Sequence, residues 1–120
     1  MKTTVILQMT IRAIGLIQLI LGIVVWTGNA DSLILLHILL GSILTLALFA
    51  LTFQAYRAGV PRPLVIVAAV WGLILPVWGL AQEKILPESI FWVSQVLHLI
   101  CGVGAIGLAE MLGARIKKSA

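Results

Sequence analysis

Four stretches of about 18 or more nearly uninterrupted apolar residues divide this chain, and they constrain its fold more than any other feature. A helix rises 1.5 Å per residue, so roughly 20 apolar residues cross a hydrocarbon core of about 30 Å. The spans are expected at about residues 5–26, 33–55, 64–81 and 89–112, which uses almost all of the chain. The reading is a single all-α transmembrane domain over residues 1–120, an up-down-up-down four-helix bundle. Only 10% of the residues are charged, against roughly a quarter in soluble domains. Within these residues no room is left for a soluble catalytic or nucleotide-binding unit. The net charge of +4 is therefore read as membrane topology and not as nucleic-acid binding. A single cysteine, Cys101, excludes an internal disulfide and the Cys-rich zinc and iron–sulfur patterns.

The breaks between spans carry turn chemistry. Residues 27–32, Thr-Gly-Asn-Ala-Asp-Ser, form the first, and two prolines with Gly59 form the second, at Gly59, Pro61 and Pro63. Pro87 and Glu88 open the fourth helix, and Pro76 is expected to kink the third. Lys2, Arg12, Arg57, Arg62, Arg115, Lys117 and Lys118 fall on one side and only Lys84 on the other, so both termini are expected in the cytoplasm. Asp31, Glu83 and Glu88 make the outer loops mildly acidic. Lys2 followed by an apolar run and Gly28-Asn29-Ala30 also fits a signal peptide, but the run is long enough to be a retained span. The expected location is the inner (plasma) membrane of a bacterium or archaeon.

Only two histidines exist, His37 and His98, and both lie inside expected spans, where an ionisable side chain is a functional candidate. Counted from the outer boundary they reach similar depths, roughly 9 to 15 Å. The second and fourth helices occupy diagonal corners of such a bundle, so the two imidazoles can face each other across the core. A haem iron takes histidine axially, one from each side. Each histidine is followed four residues later by a glycine, Gly41 and Gly102, on the same helix face. On the other two helices Gly15 and Gly22, and Gly72 and Gly79, are each a heptad apart, with Gly22 and Gly72 expected near the histidine layer. The repeated His-x-x-x-Gly also suggests a weak parallel repeat of the two halves.

This arrangement resembles the four-helix haem core of the cytochrome b family, in which the second and fourth helices bear paired histidine ligands and glycines on the first and third give clearance. The resemblance implies His37 and His98 as axial ligands, with Gly15, Gly22, Gly72 and Gly79 as clearance positions. It covers the four-helix core only. The family's second histidine, about thirteen residues along each ligand helix, is replaced here by Ala50 or Leu51 and by Met111 or Leu112. One haem b per chain is therefore implied, in the outer half of the bilayer, with electron transfer as its role. A single haem near one face needs a redox partner, either a quinone or another protein.

Other polar residues have structural readings. Gln8, Arg12, Gln18 and Trp26 share one face of the first helix with Gly15 and Gly22. Gln18 is expected to bond a neighbouring helix. Arg12 and Glu110 match in depth and are expected to pair. Ser94 and Gln95 precede His98 by one turn and suit a supporting role. Trp26, Trp78 and Trp92 suit interfacial anchoring, with Trp78 or Trp92 also able to pack on a macrocycle edge. Small faces such as Cys101, Ala105, Ala109 and Gly113 permit a homo-oligomer or a larger membrane complex. The alternatives are a chlorophyll-type pigment held by each histidine, a small transporter, or a structural accessory subunit. A transporter is disfavoured because the first helix has no Asp or Glu. No base–nucleophile pair sits near the histidines, so cofactor-independent catalysis is not expected.

Overall fold

The computed structural model describes residues 1–28 and 31–120, with the side chain at position 83 left aside. It is an all-α bundle of four helices, 48 × 24 × 16 Å, each long and apolar enough to cross a membrane. Helix α1 is Lys2–Trp26, α2 Ile34–Arg57, α3 Arg62–Ile85 and α4 Phe91–Ser119, with one-turn 3₁₀ segments at Asp31–Leu33 and Glu88–Ile90 leading into α2 and α4. Short connections make chain neighbours antiparallel. α1 and α3 each pack on both α2 and α4. α2 and α4 also touch across the diagonal, whereas among the described residues α1 and α3 do not meet.

The helices overrun the apolar stretches because nothing at those points stops them. α3 continues through Gln82 to Ile85 and ends where Pro87 forces the preceding Leu86 into an extended conformation (φ −114°, ψ 142°). α4 continues to Ser119, with Lys117 and Lys118 in its last turn favourably placed against the negative helix end. Pro76 lies inside α3, which runs through it as one helix. The α2–α3 turn closes as a Schellman cap: Val60 N donates to Ala55 O (3.0 Å) and Gly59 N to Tyr56 O (3.2 Å). Gly59 sits there at φ 77°. The first turn, and with it the small-x-small pattern of Gly28-Asn29-Ala30, falls partly outside the described residues.

The core is not evenly spread. The buried apolar residues, including Ile11, Leu44, Leu48, Leu51, Ala68, Ala105, Ala109 and Leu112, lie in the half of the bundle that holds the termini. Alanines at 47, 55, 105 and 109 let α2 and α4 approach there. The exterior is apolar, with Ile6, Leu16, Leu46, Leu73 and Leu80 each about 60% exposed or more. The half nearest the α1–α2 and α3–α4 connections encloses a cavity instead of a core.

Candidate functional site

His37 is the fourth residue of α2 and His98 the eighth of α4, so both stand near the loop end of the bundle. They meet across the α2–α4 diagonal with ring centroids 6.4 Å apart and ring planes at 72°. Beside them lies a cavity of about 240 Å³, whose walls include Gly15, Gly22, Gly41, Gly79 and Gly102 and the amides of Gln18, Gln82 and Gln95. Ile38 and Ser42 of α2 and Leu75, Pro76 and Leu80 of α3 also line it.

Each histidine leans on a glycine of the helix that precedes its own. A methyl group built at Gly22 would lie 3.5 Å from His37 Cε1. One built at Gly79 would lie 2.8 Å from His98 Cε1 and 3.1 Å from its Nε2. The two hairpins, α1–α2 and α3–α4, thus repeat one local arrangement. Gln18 crosses from α1 and donates its Nε2 to the backbone carbonyl of His37 at 2.8 Å. Gly41 is the seat of that amide, since a methyl group there would come within 2.8 Å of Gln18 Nε2. Gly102 lies against Leu19.

Five of the expected site residues, His37, His98, Gly22, Gly41 and Gly102, therefore gather around one cavity. Gly72 does not: it faces Phe49 Cε1 (3.0 Å) and Leu48, on the packed side of the bundle. Gly79 holds the place expected of it. The reason is depth: Gly79 is six residues before the loop end of α3, level with the histidines, and Gly72 is about 10 Å farther along the axis.

The polar atoms of the cavity are short of partners. Among the described residues, five buried side-chain atoms make no hydrogen bond, and four of them belong to cavity-lining residues: His37 Nδ1, His98 Nδ1, Gln18 Oε1 and Thr45 Oγ1. Buried polar groups are almost always satisfied, so these four atoms are the ones with which the cavity could meet a ligand or water. Thr45 was not singled out by sequence, although it lies eight residues after His37 and so on the same helix face. Gln82 follows Gly79 by three residues and shares its face in the same way.

The tryptophans have structural partners. Trp78 Nε1 donates to the carbonyl of Ser94 (3.3 Å) and Ser94 Oγ to Gln82 Oε1 (3.3 Å). Trp71 Nε1 donates to the carbonyl of Cys101 (2.8 Å), its ring lying over Gly104. Trp92 is exposed, and Trp26 is the tryptophan that lines the cavity. At the other end of the bundle the expected ion pair is formed. Arg12 donates Nε to Glu110 Oε1 and Nη2 to Glu110 Oε2 (2.7 Å), and Gln8 Nε2 donates to the same carboxylate (3.3 Å).

No protein-family model, curated protein or solved structure matches this chain. Among the described residues no group of three or more His, Cys, Asp or Glu side chains converges as a metal site. Among the described residues the cavity offers two imidazoles and no further ionisable donor. A bare transition-metal ion ordinarily takes three or four protein ligands. A porphyrin iron brings four nitrogens of its own and asks the protein for two, one from each side.

Proposed function

We propose that this chain is an integral membrane b-type cytochrome that holds one haem between His37 and His98 and transfers electrons. The observation that carries the reading is the 6.4 Å separation of the two imidazole centroids across the α2–α4 diagonal. Metal–imidazole bonds of about 2.0–2.1 Å on opposite sides of one metal bring two ring centres to roughly this distance. The donor set supports it further: two imidazoles in an apolar bundle, with no other ionisable side chain lining the cavity among the described residues.

Membrane insertion is supported by four long apolar helices with an apolar exterior. Lys2, Arg57, Arg62, Arg115, Lys117 and Lys118 at the end that holds the termini support a cytoplasmic location for that end. The histidine layer then lies in the outer half of the bilayer.

When bound, haem b supplies a one-electron iron couple. The residues of this chain would hold it, fix the ring orientations and exclude water. His37 and His98 would ligate through Nε2, which leaves the proton on Nδ1 and gives that buried atom a donor role. Gln18 fixes the backbone at His37 through its 2.8 Å bond and carries an unpaired Oε1 beside the same residue. Two histidine donors from the chain would favour electron transfer over ligand activation. At about 240 Å³ the cavity is below the roughly 300–1,000 Å³ usual for organic ligands. A macrocycle would therefore have to displace long side chains of the wall, among them Gln82, Gln95 and Leu19. The electron partner is a quinone or a second protein, because a haem at one end of a 48 Å body does not span it.

The test is an absorption spectrum of detergent-purified protein, oxidised and dithionite-reduced, with extracted haem quantified against chain. We expect a sharp reduced α-band and about one haem per chain. In His37→Ala and His98→Ala the haem content should fall below about one tenth of wild type while the chain remains in the membrane. A colourless protein that binds no added haem, or normal haem in both variants, overturns the reading.

A further inference from the structure

The ion pair of Arg12 and Glu110 lies on the outside of the bundle. The two side chains are 56% and 37% exposed, on the seam between α1 and α4. Arg12 is ten residues, about 15 Å, from Lys2 along α1, and Glu110 about 8 Å from Arg115 along α4. In a membrane-embedded chain, the part of the proposal above on which this inference rests, these charges face lipid within the hydrocarbon region. Arginine has five N–H donors in a fixed fork, of which Glu110 takes one from Nε and one from Nη2. The remainder have no partner among the described residues. Lipid tails supply none, and each unmet group there costs several kcal/mol.

A second observation falls on the same face. Gly107 is one turn before Glu110 and points outward with it, and nothing in the chain comes within 4 Å of a methyl group built there. Gly104 and Gly113 of the same helix are instead filled by Trp71 and Gln8. The fold of a single copy does not use Gly107, although glycine is less favourable than alanine in a helix interior. Open glycines on a lipid-facing helix are what a close helix–helix approach requires.

We propose that the α1/α4 face is a two-fold interface between copies of this chain, in which Arg12 of each copy also reaches the partner's Glu110 and Gly107 brings the two α4 helices close. The face carries one positive and one negative group side by side, so a two-fold axis sets each against its opposite: the patch is complementary to itself. The four-charge cluster is neutral, and the free guanidinium donors meet a second carboxylate. Gln8, 3% exposed and bonded to Glu110, fixes the carboxylate from within each copy. Leu16 (60% exposed) and Val103 (53% exposed) extend the contact toward the outer side.

Mass measurement in phosphatidylcholine nanodiscs should give a dimer for the wild type. In a Cys101→Ser background, Gly107→Cys should form a disulfide-linked dimer on mild oxidation. Leu73→Cys, equally lipid-facing on α3, should not, since a disulfide needs Cα atoms within about 7 Å. Arg12→Glu alone, or Glu110→Arg alone, places four like charges together and should lower the dimer fraction at least tenfold. Differently tagged copies of the two variants should pair with each other when coexpressed. Where either charge variant fails to accumulate, Gly107→Leu decides, because position 107 faces outward and a Cβ there meets nothing within 4 Å; it should be monomeric and membrane-integrated. A monomeric wild type, equal cross-linking at 107 and 73, unpaired charge variants that are both membrane-integrated, or a dimeric Gly107→Leu overturns the interface. None of these readouts involves haem, and resistance to alkaline carbonate extraction reports separately on membrane insertion.

Discussion

Gly22 and Gly79 present the same residue type to the two histidines at different clearances, and that difference is testable. A methyl group at 22 makes an ordinary contact with His37, at 3.5 Å. One at 79 comes to 2.8 Å from His98 Cε1, so the imidazole has to move. Gly22→Ala should leave haem content within about twofold of wild type, whereas Gly79→Ala should reduce it about tenfold or more, by analogy with residues that orient metal ligands. Haem per chain measured by extraction checks both. Equal retention in the two variants would mean that the ring positions do not matter to ligation. The two histidines were legible in the sequence because they are the only ones and ionisable groups in apolar helices are rare. Of the two α3 glycines, Gly72 and Gly79, the sequence sets Gly72 nearer the histidine depth, whereas Gly79 lines the cavity, because α3 runs to Ile85, beyond its apolar stretch. Thr45 and the orphaned Gln18 Oε1 could not be read as site atoms from sequence, since whether a polar group finds a partner depends on neighbouring helices.

At the scale of elements, the helices were legible from apolar runs and their ends were not. Gly59 and Pro61 fix the α2–α3 turn in both sequence and structure, because glycine is the residue that enters the left-handed region without a Cβ clash and proline cannot continue a helix. By contrast α3 and α4 continue four and seven residues past the expected limits of 81 and 112, to Ile85 and Ser119. Polar residues such as Gln82 and Lys118 end an apolar pattern without ending a helix, being good helix formers in their own right. The left-handed Gly59 makes the turn itself testable. A methyl group there meets nothing within 4 Å, yet φ is 77°, so any cost of Gly59→Ala is a backbone cost. Gly59→Ala should destabilise the bundle by about 1–2 kcal/mol, read as an earlier midpoint in SDS or thermal unfolding. An unchanged midpoint would show that the Schellman cap is not maintained in the membrane protein.

Over the whole molecule, packing and chemistry occupy opposite ends. The terminal half is filled by Leu44, Leu48, Leu51, Ala105, Ala109 and Leu112, and the loop half is hollowed by glycines around two histidines. A rigid half and an open half on the same four helices let the first hold the second in place, since a helix anchored along one length fixes the rest of its axis. Which half faces the cytoplasm follows from charge. Six of the eight lysines and arginines lie at or beyond the terminal ends of the helices, Arg12 lies within α1, and Lys84 alone is at the loop end. Charges close to span ends set orientation, so the terminal half and both termini should be inside. A green fluorescent protein fused after Ala120 should fluoresce in cells, and alkaline phosphatase fused at the same place should be inactive. Shifting the bias should shift the outcome: Arg57→Gln and Arg62→Gln combined with Ser32→Lys and Ser89→Lys removes two basic residues from one side and adds two to the other. The bias then falls from seven against one to five against three without reversing, so the phosphatase should stay inactive in most chains and become active in a minority. An active phosphatase on the unaltered chain would invert the bundle, place the histidine layer in the cytoplasmic half, and put the proposed electron partner on that side instead.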